Sequence, residues 1–230
     1  MKRLISLALL LLLAAAAGAA DTAALSRGRL IFADDFNAAL DPAVWVTEIA
    51  PGPNSSVTVK DGRLMLDTRG GVTVWLNRRL QGNLLIEFRR QVLVAGGVND
   101  RLSDLNLFWM ASDPHRPHLF TRNGVFEAYD DLSLYYVGMG GNHNTSTRFR
   151  RYGGGERKLL QEYSDAPHLL QPNREYLLQV LVKDGRTTFS VDGVEFFAFD
   201  DPAPLRSGHF GLRSTWSRQS VRALRIWQLD

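Results

Sequence analysis

Residues 175–200 read EYLLQVLVKDGRTTFSVDGVEFFAFD. Tyr176, Leu178, Val180 and Val182 occupy every second position, and Phe189 and Val191 resume the alternation after Asp184-Gly185. Successive side chains of an extended chain point to opposite faces, so a period of two marks half-buried strands. Asp184-Gly185 and Asp192-Gly193 each separate two runs by two residues that accept the positive φ of a type I′ turn. The stretch predicts three antiparallel strands joined by two tight hairpins.

The same grammar extends outward. Asp61-Gly62 separates Val57 and Val59 from Leu64 and Leu66, and Leu84, Ile86 and Phe88 alternate in their turn. No helical period stands out beyond Asp21. Counting alternating runs predicts about fourteen strands, too many for one open sheet, so two packed antiparallel sheets follow. The fold class expected is all-β, a two-sheet antiparallel jelly-roll sandwich. Ser112 to Arg122, with Pro114 and Pro117, and Arg151 to Glu156, with three glycines at its tip, read as loops rather than linkers. Residues 21–230 are expected to form a single domain.

The N-terminus carries Lys2 and Arg3, then an apolar run from Leu4 to Ala17 broken only by Ser6, then small residues to Ala20. This pattern predicts a signal peptide over residues 1–20 and export to the periplasm or the medium. The run is short for a membrane anchor and no charged stop-transfer segment follows, so no membrane insertion is expected after cleavage. The sequence holds no cysteine, which excludes disulfides and leaves stability to the core. Lys2 and Arg3 account for two of the formal +3 charges, so a general polyanion-binding surface is not indicated. Without Lys-rich or aromatic-basic tracts, nucleic-acid binding has no support.

The densest polar stretch is YDDLSLYYVGMGGNHNTSTRFRRY, Tyr129 to Tyr152. With Phe149 facing the core, Arg148, Arg150 and Tyr152 share the opposite face. Arginine forks pair with carboxylates, and Asn142 and Asn144 can bind hydroxyls or a carboxylate, which suits an acidic sugar. The competing reading is a solvated strand face, with Gly138, Gly140 and Gly141 forming a bend. In SDLNLFWM, Asp104 and Asn106 share a face with Phe108, and polar groups in so apolar a strand need a loop partner or a ligand groove. Trp216 can offer a sugar platform or sit in the core, with His209 and Arg213 on the polar face of the preceding strand. Trp45, Trp75 and Trp227 read as core. Glu127 lies near Asp130 and Asp131. His115 and His118 lack the further ligands of a zinc set, so no metal is expected. No cofactor is expected either, although a structural calcium between the sheets stays open.

VWLNRRLQGNLLIEF, DRLSDLNLFWMASDP, LYYVGMGGNHNTSTRFRRY and GHFGLRSTWS, spread from Val74 to Ser217, carry a resemblance. The chain resembles a group of secreted bacterial proteins in the concanavalin A-like lectin/glucanase superfamily. The resemblance implies two curved sheets with a glycan groove on the concave face, and an association with polysaccharide degradation, including pectic systems. It supplies no reaction.

The expected partner is a poly- or oligosaccharide; oligomeric state is not legible. The leading expectation is a lyase on a uronic-acid-containing glycan. Arg148, Arg150, Asn142 and Asn144 would stabilise the carboxylate and enolate, and Tyr136 or Tyr152, its pKa lowered by arginine, would transfer the proton. Asn106, Glu127, His209 and Trp216 are further candidates for holding substrate. A hydrolase using Asp104 and Glu127 is the enzymatic rival. A lectin-like protein that binds the glycan without cleaving it is the alternative from another class.

Overall fold

A computed structural model describes residues 28–230. The expected signal peptide, residues 1–20, lies outside the described residues. The chain forms β1 (Arg29–Asp34), β2 (Trp45–Ile49), β3 (Ser56–Lys60), β4 (Arg63–Thr68), β5 (Val72–Leu76), β6 (Leu80–Gln81), β7 (Leu84–Leu93) and β8 (Leu105–Ser112). It continues through β9 (Ser133–Gly140), β10 (Ser146–Gly153), β11 (Arg157–Tyr163), β12 (Glu175–Lys183), β13 (Arg186–Val191), β14 (Val194–Asp200), β15 (Ser207–Ser214) and β16 (Ser217–Gln228).

These strands build two eight-stranded sheets. The first runs β14-β13-β12-β7-β16-β4-β3, with β1 also paired to β16; the second runs β11-β10-β9-β8-β15-β5-β2, with β6 on β15. All pairings are antiparallel. The two-sheet expectation holds, and the described residues carry a few more strands than the alternation suggested, one of them the two-residue β6. The predicted hairpins form at Asp61-Gly62, Asp184-Gly185 and Asp192-Gly193, where the Asp φ is 52°, 51° and 51°. β1 pairs with β16, setting Arg29 opposite Gln228.

The main core lies between the sheets. Leu66, Ile86, Phe88, Leu178, Val180 and Ile226 enter from the first sheet, and Val74, Leu107, Trp109, Val137, Phe149 and Leu212 from the second. Each such side chain contributes about 1.5–3 kcal/mol on full burial. The inward face of β7 also carries Arg90, fully buried, which reaches across to the second sheet. Its guanidinium donates to the Asn106 carbonyl at 2.6 Å, the Arg213 carbonyl at 2.7 Å and Gln219 Oε1 at 2.7 Å. Arg90 thereby ties down the two strands that carry the floor of the site.

The outer face of the second sheet is not left to solvent. Residues 113–132 fold back over it, and Leu119, Tyr129 and Leu132 join Trp75, Phe108, Leu134, Tyr136 and Tyr152 in a second apolar cluster. Arg122 pins this flap. Its guanidinium donates to Asp113 and Asp131 at 2.7 Å each and to the Ala128 and Leu119 carbonyls at 2.7 and 2.9 Å. Glu48 completes the anchorage, accepting from Trp75 Nε1 and from the Tyr129 hydroxyl, each at 2.8 Å. Of the tryptophans read as core, Trp45 lies in the main core, Trp75 in this outer cluster, and Trp227 in a small cluster with Leu85 and Leu229.

Candidate functional site

Register decides which side chains meet on the outer face. Arg148 on β10 pairs with Gly138 on β9, Gly138 with Asn106 on β8, Asn106 with Arg213 on β15, and Arg213 with Thr73 on β5. One polar row thus crosses five strands. The next row is aromatic apart from its end, with Arg150 opposite Tyr136 and Tyr136 opposite Phe108. Where the flap stops covering these rows, a cleft of about 520 Å³ opens.

Four arginines line the cleft, Arg101, Arg148, Arg150 and Arg157, against one acid, Asp104. Arg101 pairs with Asp104, Arg148 with Glu162, and Arg157 lies 3.3 Å from Asp130. Arg150 has no acid partner among the described residues; its guanidinium sits 5.7 Å from the centre of the Tyr136 ring. Asn142 and His143 form the rim, on a turn that begins at Gly141. Asn142, His143 and Asn144 all adopt left-handed φ, 51°, 60° and 61°.

The Tyr136 phenol reaches the floor because position 138 carries no side chain. A Cβ there would lie 2.2 Å from the Tyr136 hydroxyl and 3.0 Å from Asn106 Oδ1. Burial pushes the Tyr136 phenol up, and the neighbouring Tyr152 and Asp104 add to it against Arg150 and Arg213. Asp104 is raised too, by burial, with Arg101 opposing. The expectation that arginines would lower a tyrosine pKa here is therefore corrected: desolvation outweighs their attraction.

The structure sorts the remaining candidates. Arg148, Arg150, Tyr136, Asp104 and Asn142 come together around the cleft, and Asn106 lies beneath it, its Oδ1 without a protein partner. Tyr152 does not line the cleft. It is fully buried in the outer apolar cluster, and burial raises its pKa. Asn144 is engaged structurally, donating to the Leu170 carbonyl at 2.9 Å and accepting from the Leu170 amide at 2.8 Å. Glu127 is exposed on the 3-10 turn Phe126–Tyr129 and faces a different hollow with Arg116 and Arg122, so it does not join Asp104 in one cleft. His209 lines a further hollow, its Nδ1 3.1 Å from the Leu76 carbonyl oxygen and its ring edge-on to Phe120. Trp216 is covered rather than offered as a platform: the guanidiniums of Arg69 and Arg101 lie 4.8 and 4.9 Å from its ring centre. Arg101, Arg157 and Phe126 went unread because each comes from a loop or an edge strand whose approach only the folded chain defines.

The fold is a two-sheet antiparallel jelly-roll sandwich, concanavalin A-like in architecture. Residues 66–224 match DUF6250, described as a domain of unknown function, and the chain belongs to that family. No curated protein matches the sequence. Among solved structures the chain is similar to a Bacillus subtilis protein of unknown function with a galectin-like fold. That match has a TM-score of 0.72 and 16% identity, over 88% of this chain and 97% of that one. It is also similar to the endo-β-1,3-glucanase of Pyrococcus furiosus, with a TM-score of 0.62 and 10% identity over 87% and 94% of the two chains. For the carbohydrate-binding module CBM66 of Bacillus subtilis the TM-score is 0.57 and the identity 12%, over 81% and 96%. At these identities the likeness is one of fold.

Proposed function

We propose that this protein is a carbohydrate-active protein, exported from the cytoplasm, that takes an acidic glycan into the arginine-lined cleft and cleaves it by β-elimination. The observation that carries this reading is the excess of arginine over acid in the cleft, with Arg150 left unpaired above Tyr136. A guanidinium without a protein acid suits a uronate carboxylate, whose charge must be offset before the adjacent carbon gives up its proton. That proton passes to a base, for which the His143 imidazole at the rim is the candidate. The C–O bond then breaks, and the departing oxygen takes a proton from the Tyr136 phenol, which burial keeps protonated. The product carries a carbon–carbon double bond and no added water. The glucanase and the carbohydrate-binding module among the solved relatives support the carbohydrate part of this reading.

The hydrolytic rival is weaker, since its two carboxylates, Asp104 and Glu127, line different hollows. A lectin-like reading keeps one specific support: the acid in the cleft is already paired with Arg101, leaving few groups for proton transfer.

Mass spectrometry of products from the mature protein and a panel of acidic and neutral glycans, including pectic rhamnogalacturonan, tests the choice. Unsaturated fragments support elimination. Fragments carrying one added water overturn it in favour of hydrolysis, and binding without product favours the lectin reading. Arg150→Ala should lower turnover about 100-fold at unchanged melting temperature.

A further inference from the structure

Arg213 is fully buried beneath the flap, yet no acid pairs with it among the described residues. Its Nη1 donates to Thr73 Oγ1 at 2.9 Å and to the Gly124 carbonyl at 3.2 Å, while Nε and Nη2 have no protein partner. Aromatic rings surround the charge, with Tyr129 at 4.5 Å and Phe126 at 5.1 Å from the guanidinium carbon. Leaving the Nε and Nη2 donors of a buried charge unmet is costly, and the ring contacts offset only part of that cost. The adjoining row position holds the Asn106 Oδ1, also without a protein partner, an acceptor suited to a hydroxyl rather than to an anion. Tyr136, whose hydroxyl lies over Gly138 beside that oxygen, bounds the same region from the cleft side.

Phe126 lies between Arg213 and the open cleft, since its side chain lines the cleft and its ring centre sits 5.1 Å from the Arg213 guanidinium carbon. The backbone around Phe126 is held on both sides. Gly124, at φ 84°, sits so close to Ala50 and Gly71 that a Cβ would lie 2.5 Å from their backbone atoms, and Tyr129 is anchored on Glu48. Phe126 itself is only half-buried between these anchors.

We propose that the Arg213 guanidinium forms an anion subsite beneath Phe126, continuous with the cleft, and that the Phe126 ring is the gate through which a sugar carboxylate reaches the Arg213 fork. The carboxylate would accept from Nε and Nη2, the two donors that the protein leaves unused. The identity of the ligand as a sugar acid rests on the acidic-glycan reading above; the anion subsite does not.

Acetate is the probe that separates the two. In Phe126→Ala, acetate at ten times its Kd should raise the melting temperature by about 3–5 °C, saturably, with chloride at equal ionic strength as control. Phe126→Ala/Arg213→Met should show no acetate response. An absent response in Phe126→Ala, or one that survives loss of Arg213, overturns the subsite whatever any glycan does. Should Arg213→Met not fold, Arg213→Lys takes its place: it keeps the charge, loses the fork and should weaken the response several-fold. An oligouronide and its carboxyl-reduced counterpart then test the ligand class. Wild type should prefer the acidic form, and Arg213→Met should lose at least tenfold of that preference. If wild type binds neither form while acetate still responds, the sugar-acid class falls and the anion subsite stands.

Discussion

The Tyr136 hydroxyl lies where the side chain of residue 138 would otherwise be, and its ring is packed on Phe108 at 5.6 Å and Tyr152 at 5.9 Å. A methyl group at position 138 therefore meets an oxygen that has little room to retreat. Gly138→Ala is expected to displace the phenol, costing about 1–3 kcal/mol in denaturant-measured stability and most of the turnover. Tyr136→Phe leaves the ring packing alone and should keep glycan affinity while losing turnover, if the phenol donates the proton; equal turnover in kinetic assays would remove it from the chemistry. At this scale the sequence is only half legible. Alternation rightly places Arg148, Arg150 and Tyr152 on one face opposite Phe149, but it says nothing of what lies above that face. The flap covers Tyr152 and stops short of Arg150, which is why two residues of the same face ended as a core aromatic and a cleft cation.

Among the elements, the turn after β9 shows a similar division between local and distant information. Gly and Asn at positions 140–144 announce left-handed backbone, and the structure has it at Asn142, His143 and Asn144. Whether each Asn faces a ligand depends on partners far along the chain, and Asn144 finds Leu170. Asn144→Ala breaks two hydrogen bonds that hold the turn against the 166–170 segment. It should cost about 1–3 kcal/mol in chemical unfolding and loosen the placement of His143, seen as a rise in KM. The tight hairpins were legible because two adjacent residues determine them. The flap was legible as a loop with two prolines, but its course over the outer face follows from Arg122, Glu48 and Tyr129 meeting across long separations.

Across the whole molecule, acid sensitivity follows from carboxylates that bind strands together. The Arg222 hydrogen bond holds Glu175 below its ordinary 4.5, with burial opposing and Arg63 assisting; this one carboxylate spans β12, β16 and β4. At Asp201, burial acts upward but is outweighed by the Tyr135 hydroxyl, the Ala203 amide and Arg151, so its pKa is also lowered. Groups depressed in the folded state contribute stability that is full above their unfolded pKa and is lost as pH falls through the folded value. Melting temperature should thus decline below about pH 4.5, the ordinary glutamate value. Glu175→Gln should melt lower at neutral pH and show a shallower acid decline. Asp104 has the opposite sign and offsets a small part of this loss. The pairing of β1 with β16 bears on engineering. Since Arg29 faces Gln228 in one ladder, a short glycine-rich bridge from residue 230 to residue 28 can close the backbone into a ring, to be reopened at Asp192-Gly193 without cutting a strand. Such a circular permutant should retain cooperative melting. A tether attached at residue 230 leaves from the sheet that faces away from the cleft, so protein coupled to a bead this way would present its arginines to an insoluble polymer unobstructed.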